Sequence, residues 1–145
     1  MGSINLGSNG TITNLAVGGL PDGTVDADSI TNSTIATTEL NADLNQRICK
    51  AWINFDGSGT AAIRDSFNIA SLTDNGTGQY TVNIDTDLGN SNYCAVCGGS
   101  ANSAGGSKGP YVNSTDSDHM DIYGYDQSGN YQDTNRVTLA VFGDS

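Results

Sequence analysis

The chain has 145 residues, enough for one domain of ordinary size and an appendage, and charged residues make up only 14% of it. Its formal net charge is −11, with five Lys and Arg residues in total. Because phosphate contacts require clustered basic side chains, this composition argues against nucleic-acid binding.

Residues 1–37 set single apolar side chains among Gly, Asn, Ser, Thr and Asp. One copy of such a segment buries too little apolar surface to offset the entropy lost on ordering. It is therefore either a flexible linker or an extended arm that requires a partner, and its β-branched residues favour the arm. The first residues lack the basic and apolar regions of a signal peptide, so we expect synthesis in a cytoplasm.

Residues 38–48 hold the most plausible helix of the sequence. Leu40, Leu44 and Ile48 recur every four residues, and Thr37 or Thr38 can cap the first turn. A helix this short is marginal in water and needs a packing partner. That partner is either the domain that follows or two further copies of the chain, which would make the segment a trimer neck.

Residues 49–145 carry dense strand signals. Ala51, Ile53 and Phe55 alternate around Trp52, and Asn75-Gly76 predicts a hairpin between two extended runs. Seven or eight short strands predict a mainly β fold, with a compact antiparallel sandwich or barrel-like head. Residues 98–109 are rich in Gly and Ser, and we expect a loop there that is either mobile or in contact with a ligand. No apolar run reaches the roughly 20 residues of a membrane span, so membrane insertion is not expected.

The sequence offers little for catalysis. His119 is the single histidine of the sequence. Cys94 and Cys97 lie on one predicted strand, where residues three apart face opposite sides, which argues against a zinc site. With Cys49 they form an odd, sparse set that indicates a reducing compartment without a disulfide framework. We expect no enzymatic activity and no bound cofactor.

Two acidic segments are candidate sites for a hard cation such as Ca²⁺, which binds carboxylate oxygens. Asp85 and Asp87 alternate in the first segment, and Asp116 and Asp118 lie in the second, near Asp121. The alternative is that these side chains cap turns and remain solvated.

Four tyrosines gather late in the chain among Asp, Asn, Gln and Gly. They are Tyr111, Tyr123, Tyr125 and Tyr131. Aromatic rings stack on sugar faces and also serve protein contacts, so these residues are a candidate surface for contact with a host cell. The alternative is ordinary packing within the sheet.

The run from Lys50 to Asn83 resembles the C-terminal head module of tail fibres and related virion proteins of tailed bacteriophages, many of them from cyanobacterial and other aquatic phages. The similarity lies in Lys50 to Phe55, Ile63 to Asn68 and Asp74 to Asn83, and in the closing run from Arg136 to Gly143. The arm is similar to segments found upstream of such heads. The resemblance implies a homotrimer, a location in the virion and no enzymatic activity.

The leading hypothesis is a short trimeric phage fibre, made in the host cytoplasm. Residues 1–37 would attach it to other virion proteins at the tail or baseplate, residues 38–48 would form the neck, and residues 49–145 would bind a host-surface glycan or protein. The alternatives are a trimeric capsid decoration, cement or head-fibre protein, and a carbohydrate-binding module.

Overall fold

The computed structural model describes residues 42–100 and 107–143. One helix precedes eight strands. Their bounds are α1 (Ala42–Arg47), β1 (Cys49–Asp56), β2 (Ala62–Phe67), β3 (Ile69–Gly76), β4 (Gln79–Ile84), β5 (Cys94–Gly99), β6 (Ser107–Thr115), β7 (His119–Asp126) and β8 (Val137–Phe142).

The strands form two four-stranded sheets in which every neighbouring pair is antiparallel. The first, sheet A, has the order β2-β1-β8-β5, and the second, sheet B, has the order β3-β4-β7-β6. The predicted mainly β, antiparallel fold is confirmed. The arm of residues 1–37 and Leu40 lie outside the described residues, and α1 covers the later part of the predicted helix.

The inner faces of both sheets share one hydrophobic core, as in a β-sandwich. Apolar residues alternate along the four central strands, so that one side of each strand is buried. The rings of Phe55 and Tyr80 meet edge to face across the core, with centroids 5.1 Å apart. The core residues are Ala51, Ile53, Phe55, Tyr80, Val82, Ile84, Leu88, Met120, Ile122, Val137, Leu139 and Val141.

The chain passes from β2 of sheet A to β3 of sheet B at Asn68. Asn68 has a φ of 56°, a left-handed conformation that Asn tolerates better than most residues. Its side-chain amide donates to the carbonyl oxygens of Lys50 and Thr86, and its Oδ1 accepts from the Thr86 amide at 2.8 Å. These bonds hold the chain where it leaves sheet A and enters sheet B.

The predicted hairpin joins β3 and β4, but its turn lies two residues later than expected. Gly76 pairs with Gln79, which leaves Thr77 and Gly78 in the turn. Gly78 has a φ of +66°, a conformation that glycine adopts without steric cost.

The loop predicted at residues 98–109 is shorter than expected, because β5 continues to Gly99 and β6 begins at Ser107. Residues 101–106 lie outside the described part of the chain. Among the described residues, no helix is long and apolar enough to cross a membrane.

Candidate binding surface

The four candidate tyrosines converge on the outer face of sheet B. Tyr111 on β6 lies directly opposite Tyr123 on β7. Tyr125 is two residues further along β7 and therefore faces the same side. Tyr131 follows the end of β7 and forms a β-bridge with Tyr125. We call these four residues the tyrosine cluster.

The rings of the tyrosine cluster contact one another. Tyr125 and Tyr131 are stacked, with centroids 5.0 Å apart and planes inclined by 25°. Tyr123 meets Tyr131 edge to face at 5.5 Å, and Tyr111 lies 6.1 Å from Tyr125 in a tilted arrangement. These separations lie in the range at which aromatic pairs attract each other beyond simple burial.

Exposure differs between the inner and outer members of the tyrosine cluster. Tyr111 is 48% exposed and Tyr131 is 44% exposed, whereas Tyr123 and Tyr125 are partly buried. A side-chain hydrogen bond with Tyr131, partial desolvation and the neighbouring phenols raise the pKa of Tyr125. The partly buried rings of Tyr123 and Tyr125, here called the inner rings, therefore support the two exposed rings. Because its pKa is raised, Tyr125 remains an uncharged phenol at neutral pH.

A tight turn over residues 126–130 returns the chain so that Tyr131 meets Tyr125. The Asp126 carboxylate accepts from the Asn130 backbone amide at 2.8 Å and from its side-chain amide at 3.0 Å. The side-chain hydrogen bond from Asn130, followed by the backbone hydrogen bond, lowers the pKa of Asp126. Gly129, with a φ of +89°, completes the turn.

The segment after Tyr131 is anchored to the end of sheet B. The Gln132 amide donates to the Gly124 carbonyl oxygen at 3.0 Å. Asp133 Oδ1 accepts from the Gly78 amide at 2.7 Å and from the Tyr80 hydroxyl at 3.1 Å. The position of Tyr131 thus depends on the core tyrosine and on the β3–β4 turn.

Polar side chains continue the same outer face beside the tyrosine cluster. Asn75 Nδ2 donates to Thr81 Oγ1 at 2.8 Å, and Thr81 Oγ1 donates to Asp121 Oδ1 at 2.7 Å. Gln79 lies opposite Tyr123, between these groups and the rings. We call Asn75, Gln79, Thr81 and Asp121 the polar row.

The second acidic segment gathers three possible metal ligands. One ligand atom each from Asp116, Asp118 and His119 lies within 4.8 Å of the others. The loop that carries Asp85 and Asp87 is bonded to this segment through the backbone, since the Leu88 amide donates to the Ser117 carbonyl oxygen. Asp85 and Asp87 are themselves exposed. Cation binding at either segment stays a prediction.

The ion pair between His119 and Asp118 leads to a pH prediction. A hydrogen bond from His119 Nδ1 to Asp118 Oδ1, 2.7 Å long, raises the pKa of His119 above 6.5. The stabilisation of the folded state by this ion pair is therefore present below pH 6.5. It is lost as the pH rises through the pKa that His119 has in the folded state. We expect NMR titration of the imidazole to give this raised pKa, and Asp118→Asn to return it toward 6.5. An equal effect of Asp121→Asn would contradict the assignment, because Asp121 acts only at longer range.

The three cysteines are free thiols in this structure. Cys94 is exposed, whereas Cys97 packs against the core. Burial raises the pKa of Cys97 to about 12, so its thiol stays protonated at neutral pH and is a poor nucleophile.

The outer face of sheet A carries a row of apolar side chains, unlike that of sheet B. Phe67, Trp52, Ala140 and Val96 follow one another across its four strands in register. Phe67 is 54% exposed and Val96 is 57% exposed. We call these four residues the apolar face. They come from four separate segments of the sequence, so only the strand order brings them together.

The tyrosines could be singled out by their local density, but the polar row could not. Its members lie on three strands and carry no motif.

No protein-family model, curated protein or solved structure matches the chain. Inference about function therefore depends on the geometry of the two outer faces and on the resemblance noted above.

Proposed function

We propose that the chain is a non-enzymatic structural protein of a tailed-phage virion, a short trimeric fibre that adheres to the host surface. The observation that carries this proposal is the convergence of four tyrosines on one exposed face of the β head. The rings of Tyr111 and Tyr131 are about half exposed, and each contacts Tyr123 or Tyr125. Such preorganised aromatic rings lose little conformational entropy on binding.

Adhesion in this proposal depends on avidity. A small cluster of rings supplies only weak binding at a single head. When several heads are held together in one fibre, and several fibres on one particle, each later contact forms at a high effective concentration. The fibre then remains attached although every individual contact is short-lived.

Apolar side chains supply the means of self-association. Leu44 on α1 and Ile48, between α1 and β1, are exposed. The apolar face adds further exposed apolar side chains on sheet A. We propose that Leu40, Leu44 and Ile48 form the trimer neck and that the apolar face extends the contact between subunits. Residues 1–37 would attach the fibre to other virion proteins.

Adsorption of the parent phage tests the adhesive role. We expect the double variant Tyr123→Ala/Tyr125→Ala to adsorb to host cells at least about tenfold more slowly, since loss of central aromatic contacts commonly costs more than 1 kcal/mol. Ser91→Ala, at an exposed position between β4 and β5 and outside both outer faces, should adsorb at the wild-type rate. Unchanged adsorption by a folded double variant would contradict the role of the tyrosine cluster.

Immunogold electron microscopy of the same virions, with antibody against residues 49–145, tests the location. Gold at the tail or baseplate agrees with a fibre. Gold spread over the capsid would identify a decoration or head-fibre protein instead, and capsid stability without the chain would then be measured. Virions without gold would contradict the virion proposal.

A further inference from the structure

We propose that the tyrosine cluster and the polar row together bind an uncharged, hydroxyl-rich glycan. This inference rests on the proposed adhesive function and names the class of ligand at that surface. It adds Asn75, Gln79, Thr81 and Asp121 to the binding residues, none of which the tyrosine pattern indicates.

The rings provide stacking surfaces for sugars. Tyr111 and Tyr131 are the exposed members, and each contacts an inner ring that limits its movement. The C–H face of a pyranose packs against an aromatic ring through dispersion and through the attraction of polarised C–H groups to the π face. Two separated exposed rings suit an oligosaccharide better than a single sugar.

The polar row provides fixed hydrogen-bonding groups beside the rings. Asn75, Thr81 and Asp121 are linked by hydrogen bonds of 2.8 Å and 2.7 Å, which hold their side chains in place. A carboxylate offers about four lone-pair sites, so Asp121 keeps acceptor capacity while it accepts from Thr81. Sugar hydroxyls are donors that suit this carboxylate, and the Gln79 amide can both donate and accept.

The contrast between the two outer faces favours a glycan over a protein at this site. The central strands β4 and β7 of sheet B present only polar and aromatic side chains to the outside. Protein interfaces are built around a well-packed apolar centre, with charged residues depleted there. The apolar face of sheet A has that character, whereas the face of sheet B places a carboxylate beside its rings.

Charge favours a neutral ligand over an acidic one. The chain carries a net charge of −11, and Asp121 and Asp126 lie on or beside the proposed site. The hydrogen bonds from Asn130 favour the ionised form of Asp126. A uronate or sulfated glycan would therefore be repelled as it approached.

Affinity electrophoresis of the full chain tests the inference directly. Native gels would contain dextran, mannan, galactomannan or xyloglucan as neutral probes, and alginate or polygalacturonate as anionic probes. We expect at least one neutral polysaccharide to retard the protein and neither anionic polysaccharide to do so. Tyr111→Ala and Tyr131→Ala should each raise the dissociation constant about tenfold. Tyr131→Phe should raise it less than Tyr131→Ala, because the ring is kept.

Matched measurements separate this inference from the proposed function. Ser91→Ala should be retarded like the wild type. If no neutral polysaccharide retards a chain whose tyrosine cluster is still needed for adsorption, the glycan inference fails and the adhesive function stands. If the chain binds neither polysaccharides nor cells, both fail. Retardation by alginate alone would also overturn the inference, as would Tyr111→Ala and Tyr131→Ala variants that are retarded as strongly as the wild type.

Discussion

Phe55→Ala is expected to lower the free energy of unfolding by about 3–5 kcal/mol, the usual cost of removing a large aromatic ring from a core. Phe55 is fully buried on β1 and meets Tyr80 of the opposite sheet edge to face. Its loss leaves a cavity between the sheets that neighbouring side chains fill only in part. Urea denaturation measures the change, at one fixed protomer concentration because self-association contributes to apparent stability.

Phe67→Ala is the matched control for this prediction. Phe67 is on β2 of the same sheet but lies in the apolar face, where it is 54% exposed. We expect it to cost less than about 1 kcal/mol of subunit stability. Light scattering should instead show weaker self-association if the apolar face lies between subunits. Equal losses of stability at Phe55 and Phe67 would contradict the placement of the core.

Gly78→Ala is expected to lower the free energy of unfolding by roughly 2–5 kcal/mol, because backbone strain and overpacking act together. A Cβ at this position would lie 2.6 Å from the Gln132 amide nitrogen and 2.7 Å from the Gly124 carbonyl oxygen. Both are backbone atoms, so no side-chain movement relieves the contact. Thermal or urea unfolding measures the loss.

Gly59→Ala is a close control for Gly78→Ala. Both glycines have a φ of +66°, but a Cβ at Gly59 has no atom within 4 Å. The control therefore carries only the backbone strain, about 1–2 kcal/mol. Gly78→Ala should also weaken binding at the tyrosine cluster, since Gln132 follows Tyr131 directly. Similar losses of stability in the two variants would show that Gly78 does not pack closely against the backbone of Gly124 and Gln132.

The two proposed functions, association of subunits and adhesion to a host surface, are assigned to opposite outer faces of the sandwich. Sheets A and B pack through their inner faces, so the apolar face and the tyrosine cluster lie on opposite sides of the head. Subunits that associate through sheet A would leave sheet B accessible to a host surface. On this proposal Tyr131→Ala should impair adhesion and leave assembly intact, whereas Phe67→Ala should weaken assembly and, through the loss of avidity, adhesion as well.

The period-two pattern of the sequence determined which residues of the central strands are buried. Ala51, Ile53 and Phe55 on β1 were identifiable because side chains alternate between the two faces of a strand. The density of tyrosines after residue 110 likewise indicated a candidate surface. Both are local properties, visible within a few neighbouring residues.

Only the tertiary structure decided which strands are neighbours and in what register. The apolar face depends on the order β2-β1-β8-β5, and the polar row depends on the pairing of β3, β4 and β7. The division at Asn68 and the return of Tyr131 onto Tyr125 depend on hydrogen bonds to distant or returning segments. Because strand order and register arise from contacts between residues far apart in the chain, no local pattern encodes them.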